Sequence, residues 1–508
     1  MKNKKFWILL IVLTVLAVFP RAVEVFNTHN YFFEPEQGTL YLITKHIVVD
    51  HQLVLTAPQG GNPQGGFSEF FKGPAFNYLL AIPFWLANGD PFAGRLMMFI
   101  LSILTVTLAF MFTKRMFDVR TASIIGFLLA ISPGLKDYAA QIWAPYVIPI
   151  LTVFFIYFLF MTFRRQFGYI IPLALTLGLM THFELATAVP LTALLVLTGA
   201  FCLYKKIIPY KYYLLFLVFF LLTLSPLVIY DFTHNFHNIK GLMTLLAESR
   251  NSATSHAFSH ILALVHDRWD VFSWNFVSTF SPNPVISLLL LISLSFGMVM
   301  MLKDKIVARQ TKIFILYLAL VPFFTFLVML FYPGATATAW WLIDVAVIYC
   351  FLLGIILSYF WTKAKYKPIT VIILLILLLA CFSRTISLYK TEFTYLPGGY
   401  IKEVQPINYI YADAKGKPFG IVVLPRRVYE PENYDYLIWW IGYAKYNYQP
   451  YRTEKGLYYF LIESKSIPGF DKSYAKAYDQ ILNAPQKGKL LNTINIANRY
   501  IIEKRLVE

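Results

Sequence analysis

Residues 31–41 read YFFEPEQGTLY and lie between two apolar runs, FWILLIVLTVLAVF (6–19) and FAGRLMMFILSILTVTLAFMF (92–112). A carboxylate is costly to hold in hydrocarbon, so Glu34 and Glu36 belong to a loop outside the membrane, facing water, a substrate or a partner. Further along the same loop, FSEFFKGPAFNYLLAIP (67–83) adds Glu69 and Lys72. The loop that joins the first two apolar runs is the candidate active site.

The rest of the chain fits that reading. Of 508 residues, 58% are hydrophobic and 14% charged, outside the range of soluble globular domains. The sequence predicts a polytopic α-helical membrane protein. Met1 to Lys5 is basic, and no small-x-small site follows Phe19, so a retained signal anchor fits better than a cleaved signal. Later apolar runs fall near 121–135, 143–162, 168–183, 185–203, 212–231, 284–302, 313–332, 339–361 and 368–386. Each can cross about 30 Å of hydrocarbon, which predicts about eleven spans.

Charge sets the orientation. KRMFDVR (114–120), FRRQ (163–166), YKKIIPYK (204–211), KDKIVARQTK (303–312) and TKAKYK (362–367) are alternate loops rich in Lys and Arg. The positive-inside rule places them, and the N-terminus, in the cytoplasm. Much of the net charge of +17 is thereby explained without nucleic acid. The acids concentrate in the outer loops 21–91 and 232–283. The three cysteines, Cys202, Cys350 and Cys381, sit in apolar runs and form no metal spacing.

From about Tyr389 the polarity becomes ordinary. Helix-like 402–416, strand-like 418–425, helix-like 434–446, strand-like 456–464 and a closing strand near 498–507 predict a small α/β domain outside the cytoplasm. It contains no GxGxxG, Walker loop or DxD. The domain division expected is a catalytic membrane portion, 1–386, followed by an extracytoplasmic domain, 387–508.

Within the first outer loop, 37–49 has helical periodicity with Leu40, Ile43 and Ile47 on one face. Glu34 and Glu36 stand at its start, where capping is the plain alternative to chemistry. Residues 72–89 suggest an interfacial helix. Lys72 reads as a headgroup anchor or a phosphate ligand, and Arg95 as a snorkelling side chain or a phosphate ligand.

The order of these parts resembles the dolichyl-phosphate-mannose:protein mannosyltransferase superfamily, GT-C glycosyltransferases that include the bacterial aminoarabinose transferases. FEPEQGTLY (33–41) is similar to the family's F-x-P-D-E-A-x-x-Y, KGPAFNYLL (72–80) to its K-P-P-L-x-Y-Y-L, and GRLMMF (94–99) to its R-L-P. AISPGLKDYAAQIWAPYVIP (130–149), GLMTHFELA (178–186) and SPLVIYDFTHNFHNIKG (225–241) also look like bacterial members. The likeness covers roughly residues 1–385. It implies a GT-C fold, a polyprenyl-phosphate sugar as donor, no tightly bound cofactor, and a glycan, lipid or protein acceptor. Glu36 takes the position of the catalytic acid, where the family usually has Asp. Gly73 replaces one Pro of the lysine motif. Phe71 stands where an acid often precedes the lysine, leaving Glu69 further back.

In this reading Glu36 takes the acceptor's proton, with Glu34 and Glu69 as secondary acids. Lys72 and Arg95 hold the donor phosphate. A single carboxylate suffices, because the phosphate leaves without protonation, and the displacement inverts the anomeric centre. Tyr138, Gln141 and Tyr146 are candidates for sugar or acceptor contact, with an interfacial aromatic belt as the plain alternative. His182 and His234 are further candidates. His182 shares a short turn with Glu184, where both suit a hairpin cap. Asp231, His234 and His237 invite a metal reading, but the two His, three apart, have no third ligand placed, so a divalent metal is not expected. Asp344, just inside the tenth run, stands out as an intramembrane acid. Two other classes stay open. A transporter or flippase would show inverted repeats, and none is clear. A non-catalytic scaffold is suggested mainly by the Asp-to-Glu change at Glu36.

Overall fold

The computed structural model describes residues 2–26, 33–58, 70–244, 258–281, 283–331, 338–394, 400–424, 432–450, 455–463, 488–496 and 499–507. In chain order the helices are α1 (Lys2–Val25), α2 (Pro35–Val48), α3 (Ala75–Leu86), α4 (Pro91–Met116), α5 (Val119–Ile131), α6 (Pro133–Asp137), α7 (Ile148–Phe163), α8 (Ile170–Phe183), α9 (Leu185–Tyr204), α10 (Tyr210–Thr223), α11 (Ser225–Thr233), α12 (237–244), α13 (Phe258–Phe280), α14 (Pro284–Lys303), α15 (Arg309–Met329), α16 (Ile343–Thr362), α17 (Lys367–Thr394), α18 (Tyr400–Ala414) and α19 (Glu432–Ile441). The chain divides into two compact units. One comprises 1–24, 55–76 and 95–387; the other comprises 25–54, 77–94 and 388–508.

The first unit is a bundle of apolar helices. Among the described residues, eight helical stretches are long and apolar enough to cross a membrane: Phe6–Val25, Pro91–Met116, Ala144–Phe163, Leu185–Tyr204, Pro284–Lys303, Arg309–Met329, Ala339–Thr362 and Lys367–Ser387. Two bent pairs bring the number to as many as ten. The expected runs at 121–135 and 212–231 are broken by 60° and 61°, between α5 and α6 and between α10 and α11. Pro133 and Pro226 open the second halves, and a proline can start a helix but cannot continue one unkinked. The run expected at 168–183 is an apolar helix shorter than the others, Phe167–Phe183. The protein is thus a multi-pass helical membrane protein, with eight to ten such segments among the described residues.

The helix α16 is almost wholly buried and forms the middle of this unit. Gly354 lets Ile125 of α5 lie against it, and the hydroxyls of Thr121 and Ser358 are 2.7 Å apart. Small residues and interhelical hydroxyl bonds are the usual means of close approach in lipid. The first helix is fixed by Arg21, which is buried and donates to Ser102 Oγ at 2.7 Å and to the carbonyls of Ala130 and Leu129 at 2.7 and 3.1 Å. Those bonds satisfy a guanidinium that the membrane would otherwise exclude. Leu13, Phe110 and Ala122 add an apolar contact joining α1, α4 and α5.

The second unit combines two parts of the first outer loop, 25–54 and 77–94, with the C-terminal tail. Its sheet has four strands in the order β1 (Phe419–Leu424), β2 (Gly456–Glu463), β4 (Tyr500–Val507), β3 (Lys489–Ile496). The β1–β2 pair is parallel and the other two pairs antiparallel. The expected closing strand is therefore central, and β3, which the sequence did not suggest, takes the edge. The helix α2 packs on α19. A Cβ on Gly38 would overlap the backbone of Glu432 and Asn433, so glycine permits this approach. Tyr41 is fully buried and in contact with Phe33, Phe84 and Tyr436. Its hydroxyl donates to the Pro91 carbonyl and accepts the Gly94 amide, both at 3.1 Å. The Tyr436 hydroxyl donates to the Gly89 carbonyl. Ile82, Trp85 and Leu86 of α3 stay exposed, as an interfacial helix requires.

Candidate functional site

In the first unit, Lys72 is held from below its charge and along its backbone. Its Nζ lies 3.0 Å from Glu184 Oε2, and the Glu184 side chain is nearly buried. The Lys72 carbonyl accepts the Ala57 amide at 2.8 Å. Glu184 is the N-cap of α9, its other oxygen accepting the Ala186 amide at 3.3 Å. One carboxylate thus caps a helix with one oxygen and faces the lysine with the other. The capping expected of Glu184 is present, and the ion pair comes in addition.

The neighbours of Lys72 are equally constrained. The Phe71 amide donates to Asn238 Oδ1 at 2.8 Å, and the Asn238 amide donates to Asp231 Oδ1 at 2.7 Å. Phe71 packs against Tyr230 and His237. A Cβ on Gly73 would overlap the His182 ring. The replacement of proline at this position therefore has a local cause, since the imidazole occupies the space that any larger residue needs. His182 is buried, with Nε2 donating to the Thr223 carbonyl at 2.7 Å. Its ring packs at the lysine loop and leaves no face toward solvent. His234 is exposed, stacked on Tyr230 at 4.1 Å, with Nδ1 2.9 Å from Thr233 Oγ1. Among the described residues no group of three or more His, Cys, Asp or Glu could hold a metal ion.

A second focus of charge surrounds Glu24. Arg95 is buried in the first turns of α4 and donates to the Glu24 carbonyl at 2.7 Å. Lys136, also buried, stands 3.3 Å from Glu24 Oε2 and 3.5 Å from Asp137 Oδ1. Arg95 therefore points into the protein, not along the membrane surface. Lys136 and Glu24 were not anticipated; Lys136 sits in PGLKDY, where only a charge inside an apolar context hints at a buried partner. Tyr138 and Tyr146 stack at 4.5 Å, and Trp143 meets Tyr146 and Trp340 edge-on. Both tyrosines, with Arg21, Ser102, Thr105 and Pro149, line a small cavity. Gln141 is exposed beside them.

In the second unit, Glu34 is the N-cap residue of α2, but its side chain makes no capping bond; its carbonyl accepts the Gln37 and Gly38 amides at 3.0 Å. Glu36 lies in the first turn and is exposed, where the helix dipole favours an anion. Glu69 falls outside the described residues. Immediately before Glu34, the Phe33 amide donates to Glu403 Oε2 of α18 at 3.0 Å. Asp344 of α16 is fully buried in the first unit, and neither of its side-chain oxygens has a hydrogen-bond partner among the described residues.

The chain has a GT-C class of fold, as two solved structures show. The chain is similar over 98% of its length, and 98% of the other's, to ArnT from Cupriavidus metallidurans bound to undecaprenyl phosphate, with TM-score 0.60 and 11% identity. It is also similar to the archaeal oligosaccharyltransferase AglB from Archaeoglobus fulgidus in complex with an inhibitory peptide and a dolichol phosphate. There the TM-score is 0.50 and the identity 12%, over 94% of this chain and 71% of that one. No family model and no curated protein matches the sequence. At such identities the shared property is the fold, which agrees with the resemblance drawn from the sequence.

Proposed function

We propose that this protein is an inverting glycosyltransferase that moves a hexosyl or pentosyl group from a polyprenyl-phosphate donor to a glycan, lipid or protein acceptor outside the cytoplasm. The observation that carries the reading is the end-to-end fold similarity to ArnT, whose structure holds undecaprenyl phosphate, a lipid of the class such a donor releases. Glu36 is the base. It takes the acceptor's hydroxyl proton while the acceptor oxygen bonds to the anomeric carbon; the bond from that carbon to the phosphate oxygen breaks, and its electron pair leaves with the polyprenyl phosphate. Glu34 and Glu69 are secondary acids.

Lys72 and Arg95 are the donor-phosphate ligands. Each is already held in place, Lys72 by Glu184 and Arg95 by the Glu24 carbonyl, and preorganised cations stabilise a departing phosphate without reorganising when it forms. The stacked Tyr138–Tyr146 pair, Gln141 and His234 provide sugar or acceptor contacts; His182 acts by packing on the lysine loop. The basic loops stay in the cytoplasm with the N-terminus, and residues 387–508 form an extracytoplasmic domain.

The test is a glycan and glycolipid profile of membranes from cells with the protein, without it, and with Glu36→Gln at equal protein level. The expected result is loss of one product in both the deletion and the variant, since removing a general base costs about 10²- to 10⁴-fold. Full restoration by Glu36→Gln overturns the assignment of the base.

A further inference from the structure

The backbone just before the helix that carries the candidate base is bonded to a buried carboxyl from a helix about 370 residues later in the chain. Glu403 is 3% exposed and sits in the first turn of α18. Its Oε2 accepts the amide of Phe33, whose own ring is fully buried against Tyr41 and Tyr436. That amide precedes the N-cap residue Glu34, so the bond fixes where α2 begins and hence where Glu36 projects. Side-chain capping does not do so, because Glu34 makes no such bond.

The surroundings of Glu403 are already spoken for. Arg499 Nε donates to Glu463 Oε1 at 3.0 Å, and Tyr434 donates to Glu463 Oε2 at 3.2 Å and lies 3.4 Å from the Tyr500 hydroxyl. The charged and titratable groups acting on Glu403 are Arg499, Glu463 and Glu34, with Tyr434 and Tyr500 close by. Burial pushes the Glu403 carboxyl up to about 8, opposed by the Phe33 amide bond and Arg499 and assisted by Glu463 and Glu34. A carboxyl kept neutral still accepts the Phe33 amide bond. A buried acid retained at that cost is a positioning device more than a packing choice.

We propose that Glu403 is a positioning residue that acts through the Phe33 amide to set the start of α2, making the C-terminal domain part of the machinery that aims Glu36. The inference rests on the reading of Glu36 as base only for its functional half; the geometric half stands without it.

The test uses full-length protein in detergent, read by hydrogen exchange over 33–41, and in cells, read by the product glycan at equal protein level. Glu403→Met keeps the volume and removes the acceptor, while Glu403→Gln keeps an acceptor without the charge. The expected result is about tenfold faster exchange at the Phe33 amide and reduced product in Glu403→Met, with both restored in Glu403→Gln. Unchanged exchange in Glu403→Met overturns the proposal, as does equal behaviour of the two variants, or faster exchange with product at the wild-type level. If Glu36→Gln keeps full product while the exchange results hold, the base assignment fails and the anchoring of α2 stands.

Discussion

At the scale of single residues, the lysine loop shows how a departure from a family pattern is explained by contact. Gly73 stands where the motif it resembles has proline, and the His182 ring fills the space that a side chain there would need. Gly73→Ala is expected to cost about 1–3 kcal/mol through overpacking, measured as a lower unfolding midpoint in detergent. In a His182→Ala background that cost should shrink, because the two residues share one space; additive costs would refute the contact. The sequence showed Lys72, Arg95 and Glu36 as charges in a membrane loop. It did not show that Lys72 would meet Glu184 across 112 positions, since an ion pair between distant elements leaves no periodic trace. Glu403 was hidden for the same reason. It sits in a helix with a polar face, and nothing local separates a buried glutamate from a solvated one.

At the scale of elements, the apolar runs located nearly every membrane helix, because length and hydropathy are set by the bilayer itself. Their bends were less legible: a proline inside a long apolar run marks a kink, a break or a helix start, and only packing selects among them. In the tail, β1, β2 and β4 have buried positions and were readable. By contrast, β3 is exposed along most of its length, so it lacks the alternation by which a half-buried strand is recognised. The contact of α2 with α19 gives a test at this scale. Gly38→Ala improves helix propensity by about 1 kcal/mol, yet its Cβ would meet the Glu432–Asn433 backbone, which cannot swing away as a side chain can. A net destabilisation of about 1–2 kcal/mol is expected, followed by the fluorescence of Trp439 and Trp440 on α19. A stabilised variant would show that α2 and α19 do not approach so closely.

At the scale of the molecule, the GT-C fold was legible from the order of its parts. The sequence suggests a boundary near 386; in the structure 25–54 and 77–94 of the first outer loop share a compact unit with 388–508. Titration should report on that unit as a whole. Glu403 releases its proton near pH 4.5 when unfolded and near 8 when folded. Between those values the folded state holds more protons, so stability falls as pH rises from about 4.5 to 8 and levels off beyond. Melting of the tail, followed by the same tryptophans, should show this slope in the wild type and a flatter one in Glu403→Gln. An unchanged slope would mean that Glu403 is ionised in the folded protein.

The threading of α2 into the tail unit has a consequence for synthesis. About 350 residues separate α2 from α18, and at 5–20 residues per second the ribosome needs on the order of 20 to 70 s to make them. Throughout that interval Phe33 waits for Glu403, while the intervening helices must enter the bilayer. A nascent chain arrested before α18 would hold α2 without the carboxyl that receives its Phe33 amide, so membrane insertion comes before the start of α2 is tied down.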